Sequence, residues 1–437
     1  MSAPATPTPT RPASSAHPPA ARGLLAHPAA AMGLAPALAL GFAAIVHFGV
    51  GPLVGSFNSI LLLQVGISII LAASLNIVNG FTGQFSIGHA GFLAIGGYIA
   101  ATLTFYGGMY IFGDPKAHAG GEWLLVGGCL LGGCVAAACG YLVGLPSLRL
   151  RGDYLAVVTL GFGEIVRVLL QRTSSQVFTL DEVRDTSMTW WPPPWGGAQG
   201  FKELPTYSNL FIVWLMVGLT LIAAFRLKQS SMGRALLSIR EDEIAARAMG
   251  VDIARYKVRA FVIAAFFAGV AGGLFGHSGV NLEPKNAGFI LSFEIIIMVV
   301  LGGLGSISGV VMAAVILTLL PEILRDPRPV VALWPWLLGV TLALGAATLG
   351  ARAAKRGERV ALTLTVLAGA LLATAGLAAG GNALLQAATG NPSANLGDYR
   401  MIIYALMLVC MMIMRPQGLF GVQEIWDFFR TRKLGSK

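Results

Sequence analysis

The run GFILSFEIIIMVVLGGLGSISGVVMAAVILTLLPEIL, residues 288–324, decides the architecture. About 20 consecutive apolar residues in a helix cross a hydrocarbon core of ~30 Å. At 37 residues this run is too long for one crossing, and Gly302-Gly303-Leu304-Gly305 divides it into two spans. Glu294 is the one charge set inside a span here. A lone carboxylate at that depth costs on the order of 2.5–3.5 kcal/mol on insertion scales, so it is expected to point into protein rather than lipid.

Working outward, the rest of the chain repeats the pattern. Of 437 residues, 55% are hydrophobic and 11% charged, with a mean hydropathy of +0.73. Soluble proteins carry roughly 25% charged residues. Further apolar runs lie at about 31–54, 59–78, 92–112, 123–145, 148–170, 209–225, 260–280, 330–350, 360–380 and 401–414. The fold class is all-α: a polytopic integral membrane protein of about 12 transmembrane helices.

Between the runs at 209–225 and 260–280 sits a polar connector, residues 226–259. Its centre reads GRALLSIREDEIAARAMGVD, residues 233–252. Ser238 and Glu241 have the S-x-x-E spacing of a capping box. Glu241, Asp242 and Glu243 fall in the first turn, where the helix dipole favours negative charge. Gly250 supplies a left-handed stop. The spacing predicts one short helix over about 239–249, with Ala245, Ala246 and Ala248 leaving its surface thin. A short, capped, small-faced helix between spans suits docking into a groove on a partner; a solvated connector fits the same residues.

The net charge of +10 is not a nucleic-acid footprint, because no basic stripe is interleaved with aromatics. With the 226–259 connector in the cytoplasm, parity fixes every other loop. The cytoplasmic set (1–30, 149–151, 226–259, 352–359 and 415–437) then holds 21 of the 30 Lys and Arg, against 8 on the opposite side. That asymmetry is the positive-inside rule, and it places both termini in the cytoplasm. The four cysteines, Cys129, Cys134, Cys139 and Cys410, all lie in apolar runs at spacings that fit neither a disulfide framework nor a metal site.

Four segments follow from these patterns. Residues 1–30, rich in Pro, Ala, Thr and Ser, form a disordered cytoplasmic tail. Residues 31–325 form the transmembrane core, including the connector. Residues 326–397 make an extra transmembrane hairpin with a basic tip, ARAAKRGER. Residues 398–437 hold the last span and a basic cytoplasmic tail. A long outer loop, 171–207, contains TWWPPPWGG (189–197), a rigid aromatic knob suited to the membrane interface.

Within the core, NGFTGQFSIGHAGFLAIGGY (79–98) is dense in glycine and polar side chains. Non-helical backbone at membrane depth is tolerated where it lines protein or a watery cavity, so Gln84, Ser86 and His89 are candidates for a substrate path; a tight surface turn is the other reading. Thr159, Glu164, Gly302 and Gly303 complete the path candidates. Glu164 and Arg167 lie three apart on one helix face and can pair. As span residues they are expected to face the bundle interior, as a structural ion pair or as a substrate contact.

GRALLSIREDEIAARAMG resembles the ATPase-docking loop of ABC importer permeases, named for the pattern E-A-A-x-x-x-G. Here that register reads Ile244-Ala245-Ala246 to Gly250, with Glu243 one residue upstream. SLNIVNGFTGQFSIGHAGF (74–92), LRLRGDYLAVVTLGFGEIVR (148–167), VVLGGLGSISG (299–309) and RPQGLFG (415–421) resemble the branched-chain amino acid permeases of the LivM type. The resemblance implies a transport subunit rather than an enzyme, with Ser238, Glu241, Glu243, Ala245, Ala246 and Gly250 as the docking surface. It implies a second, related permease, two cytoplasmic ATPase subunits and a periplasmic substrate-binding protein as partners, in the bacterial inner membrane and its lipid. The chain carries no G-x-x-x-x-G-K-[ST] phosphate loop; the resemblance assigns ATP to the partner subunits and no cofactor to this chain.

Two features depart from the family pattern. Where its members carry Thr-Gly-Gly-x-x-Gly on the outer face, this chain reads TSSQVFTLDEVRDTS (173–187), and the 326–397 hairpin is additional. Competing readings are an importer of urea or short-chain amides, and an ion-coupled secondary transporter using Glu164 or Glu294.

Overall fold

A computed structural model describes residues 28–53, 56–113, 120–147, 153–178, 194–325 and the single residue 406. Residues 1–27 of the tail, the extra hairpin, and all of the last segment but Leu406 lie outside the described residues, as do Trp190, Trp191 and Cys410; residues 28–30, read as tail, already belong to a helix.

The described residues form eleven α-helices and one isolated β-bridge. In chain order they are α1 (Pro28–Ala44), α2 (Ser56–Asn76), α3 (His89–Phe112), α4 (Gly121–Ser147), α5 (Asp153–Gln171), α6 (Leu210–Gln229), α7 (Ser231–Glu241), α8 (Glu243–Ala248), α9 (Ile253–Gly276), α10 (Phe289–Gly302) and α11 (Ile307–Arg325). Seven segments are long and apolar enough to cross a membrane, and two shorter apolar helices, Pro36–Gly49 and Ile307–Glu322, accompany them. These nine correspond to the nine runs read between 31 and 325. The other three spans of the expected twelve lie outside the described residues.

α9 is the hub. It makes its most extensive contacts with α4 and α3, and α3 packs along α4 in turn. Glycines make this possible: a Cβ on Gly96 of α3 would collide with the carbonyl of Gly269 on α9, and one on Gly132 of α4 would stand 2.5 Å from the carbonyl oxygen of Gly96. With no side chain between them, three backbones meet directly, the small-residue packing that membrane helices use where no hydrophobic force drives association. α2 packs on α9 from another side and carries α10, α11 and α6, while α1 rests on α6. α5 is peripheral, touching mainly α3.

The ends of the bundle sort as parity requires. At one end meet the C-terminal ends of α2, α6 and α10, the start of α3, and the α7–α8 segment. At the other, Phe201 donates its backbone N–H to the Leu282 carbonyl at 3.0 Å and the Tyr98 hydroxyl donates to the same oxygen at 3.1 Å. Trp195 departs from the interfacial role expected of its knob. It is buried, its indole N–H donating to Thr102 Oγ1 at 2.7 Å, while the Tyr106 hydroxyl reaches the Pro194 carbonyl at 2.6 Å. Satisfying the indole N–H inside the fold outweighs a lipid-facing position. Cys129 is buried, Cys139 half-buried and Cys134 exposed, all as free thiols.

Candidate functional site

The connector forms two helices, not one. α7 is capped by Ser230, whose hydroxyl accepts the Gly233 N–H at 3.1 Å. It ends at Glu241, and Asp242 opens α8 by accepting the N–H groups of Ile244 and Ala245 at 2.7 and 3.0 Å. The Ser238–Glu241 capping box does not form. Ser238 donates to the Ala235 carbonyl at 2.8 Å, inside a helix that its own residue does not start. Asp242 wins as the cap because one carboxylate oxygen satisfies two free donors of the first turn. Glu241 is thereby the last residue of α7, leaving Glu243 in the first turn of α8. The stop is as read: Gly250 has φ +84°, and Gly250 and Val251 donate to the carbonyls of Arg247 and Ala246 in a Schellman arrangement.

This geometry divides the predicted docking residues. Ala246 is buried against Ile239 and Ile253 and holds α8 to its own chain. Ala245 is exposed, as are Glu241 and Glu243. The apolar groups offered outward are Ile244 and Met249, at 83% and 84% exposure, which the alanine-centred reading missed. Glu243 pairs with Lys257 of α9, whose side chain is almost wholly buried, so α8 is fastened to the hub helix.

Beneath α7 lie two helix breaks. α2 ends in a buried π-turn, Ile77–Phe81, and the chain runs to the start of α3 with Thr82, Gln84 and Ser86 buried and Gly83 and Phe85 exposed. The break from α10 to α11 passes Gly303 at φ +106° and Gly305 at φ +88°, backbone that side-chain-bearing residues rarely adopt. Asn76, fully buried, joins the two: its amide oxygen accepts the Gly305 N–H at 2.9 Å and its amide nitrogen donates to the Ser306 carbonyl at 3.3 Å. Arg240 of α7 donates to the carbonyls of Gly80 at 2.9 Å and Leu304 at 3.3 Å. Lys228 at the end of α6 donates to the Gly305 carbonyl at 2.7 Å. Cations suit these positions because carbonyls at a helix C-terminus lack intrahelical partners.

Of the path candidates, Gln84, Ser86, His89 and Thr159 gather around the first break and serve its structure, while Gly302 and Gly303 lie at the second. The Ser86 N–H donates to Asn79 Oδ1 at 3.2 Å, and Gln84 lies against Thr82. His89 meets Ser74 Oγ at 2.8 Å. Thr159 of α5 accepts the Ile87 N–H at 3.1 Å. Gly302 gives up its side chain to Val310, which a Cβ would strike. Glu164 and Arg167 pair with each other at 2.6 Å and are each roughly a third exposed, so the pair neutralises itself within the helix. None of these residues lines the main cavity.

That cavity, about 440 Å³, opens between α2, α10 and α11. Gln64 and Ser68 of α2, Glu294 of α10, and Thr318 and Glu322 of α11 bring polarity to an otherwise apolar lining that includes Leu71, Leu93 and Phe275. Its size and its few polar groups suit a small ligand. Glu294 turns inward as its depth demanded. The others were legible too: Gln64/Ser68 and Thr318/Glu322 are polar pairs four residues apart, one face of a helix, in otherwise apolar runs. No group of three or more His, Cys, Asp or Glu able to hold a metal occurs among the described residues.

The family described as "Branched-chain amino acid transport system / permease component" matches residues 57–344. The chain belongs to this permease family. It is 41% identical over 278 residues to the "High-affinity branched-chain amino acid transport system permease protein LivM" of Salmonella typhimurium (strain LT2), covering 60% of this chain and 62% of that relative. It is 40% identical over 295 residues to the protein of the same name in Escherichia coli (strain K12), with the same coverage. The "High-affinity branched-chain amino acid transport system permease protein LivH" of Salmonella typhimurium is 25% identical over 253 residues, 57% of this chain and 78% of that relative. The chain thus spans 62% of the length of the two LivM relatives. No solved structure matches it. As a permease-family chain with repeated apolar helices, it is a multi-pass membrane protein.

Proposed function

We propose that this chain is the transmembrane permease subunit of an ATP-driven ABC importer that moves branched-chain amino acids (leucine, isoleucine or valine) across the bacterial inner membrane. The observation that carries the reading is α8. It is a capped helix fastened to α9 through Glu243–Lys257 and to its own loop through Ala246, and it presents Ile244 and Met249 to solvent. Two large apolar side chains held rigidly outside the bundle suit a groove on a cytoplasmic partner. Two ATPase subunits would dock there, one on this chain and one on a second, related permease. A periplasmic binding protein would deliver substrate to the opposite end, and both termini would lie in the cytoplasm. The cavity between α2, α10 and α11 is the place for substrate on its way. ATP is bound and hydrolysed by the partners, and this chain needs no cofactor of its own.

The test is co-purification. Wild-type protein should carry ATPase subunits through size-exclusion chromatography, and Ile244→Glu with Met249→Glu should strip them while the permease stays monodisperse. An intact wild-type assembly that takes up labelled leucine only with ATP supports the reading. ATPase retained by the double variant, or uptake driven by an ion gradient without ATP, overturns it.

A further inference from the structure

Arg240 sits two residues before Asp242, the cap of α8, yet its side chain runs away from the exposed docking face and into the bundle. There it donates from one guanidinium nitrogen to backbone carbonyls of two different helix breaks, Gly80 after α2 and Leu304 after α10. Local packing is built around it. Gly83, at φ +70°, would bring a Cβ to 3.1 Å from Arg240 Cγ, and a Cβ on Gly305 would stand 2.7 Å from Arg240 Nη1. α7 itself is wedged in place by the buried Leu236 and Ile239. The helices that end at these breaks, α2 and α10, are two walls of the cavity, carrying Gln64, Ser68 and Glu294.

We propose that Arg240 is the positioning residue that couples the docking segment to the cavity, by holding the α2 and α10 breaks to α7 so that a displacement of α7 moves both walls together. The inference rests on the importer reading above. An arginine is suited to this role because its planar fork carries five donors and stays charged at every working pH, whereas lysine offers a single point charge. Arg240 touches backbone carbonyls and no cavity-lining side chain. Its effect on transport therefore passes through helix position rather than through contact with substrate. Lys228 donates to the Gly305 carbonyl of the second break and touches the first through the Phe81 ring, 6.0 Å from its Nζ.

The experiment uses the assembled complex in proteoliposomes, with ATP on the ATPase side and binding protein with labelled leucine on the other. Leucine transported per ATP hydrolysed is measured for wild type, Arg240→Gln, Arg240→Lys and Lys228→Gln. Coupling through one interaction network is typically worth a factor of 5–150. Arg240→Gln should therefore keep ATP hydrolysis within about twofold while leucine per ATP falls about tenfold. Arg240→Lys should recover part of that ratio, and Lys228→Gln should lower it by about fivefold. A ratio unchanged in Arg240→Gln overturns the proposal, as does a loss of hydrolysis in step with uptake, which marks a merely structural residue. If Arg240→Gln yields no assembled complex, an unchanged ratio in Lys228→Gln overturns it instead. The wild-type arm isolates the underlying reading: a wild-type complex without ATPase, or with ATPase and no leucine uptake, defeats the importer assignment before any variant is compared.

Discussion

Two arginines show two ways a membrane bundle handles a cation. Arg167 is answered inside its own helix by Glu164, three residues away, both side chains about a third exposed. Arg240 is answered by carbonyls 160 and 64 residues distant in the chain, beneath a short helix at the bundle's end. The first arrangement is local and self-cancelling; the second ties together segments that have no other covalent reason to meet. Charge spacing along a sequence reveals the first kind at once and is blind to the second.

Breaking the long-range arrangement should have the largest effects. Asn76→Ala leaves the buried Gly305 N–H without its acceptor, while the Ser306 carbonyl keeps the Val310 N–H; the loss is about 3 kcal/mol at the upper end for an unsatisfied buried group. The apparent Tm of detergent-purified protein should fall sharply, and a shift within error would show that the breaks are not held through Asn76. Next comes the Glu243–Lys257 pair. A double-mutant cycle with Glu243→Gln and Lys257→Met should give a coupling of about 1 kcal/mol, because Lys257 is buried although Glu243 is half exposed. The same cycle on Glu164→Gln and Arg167→Gln should give a smaller coupling, because neither side chain of that pair is fully buried. Equal couplings in the two cycles would erase the contrast drawn here.

The opposite end of the bundle sharpens the comparison with a buried group that is held neutral. His277, just past α9, has Thr104 Oγ1 at 2.6 Å from Nε2 and the Gly273 carbonyl at 2.8 Å from Nδ1. One neutral tautomer satisfies both, with Nδ1 donating and Nε2 accepting. His277→Leu takes that partner from the Thr104 hydroxyl and the Gly273 carbonyl. It should lower the apparent Tm of detergent-purified protein by less than Asn76→Ala does, because the Thr104 hydroxyl keeps the Ala100 carbonyl as an alternative; a larger fall would reverse that ranking.

The sequence made the fold class, the nine runs between 31 and 325 and the left-handed stop at Gly250 readable, because apolar length and glycine conformation are local properties. The docking segment was readable in place but not in form. Ser238 and Asp242 are both good caps; Asp242 satisfies two donors, and the burial of Leu236 and Ile239 on α7 keeps Ser238 inside a helix, a tertiary fact whose trace is their three-residue spacing. The path residues Gln84, Ser86, His89 and Thr159 are polar and deep, as read, but their hydrogen bonds are spent on closing the first break. The cavity lies about one helical turn further along α2 and α3, where Leu71 and Leu93 line it. Its polar pairs on α2 and α11 were visible as periodicity, yet which faces would oppose one another depends on how α2 packs, and no local pattern encodes that.

The contact of Gly96, Gly132 and Gly269 has a mechanical consequence. Where three backbones touch with nothing between them, no rotamer is available to absorb a roll or a slip, so α3, α4 and α9 behave as a single slab. Alternation between access to one side of the membrane and the other would then have to occur at the seam where α2, α10 and α11 meet that slab. A disulfide placed within the slab should leave transport untouched, whereas one across the seam should arrest it.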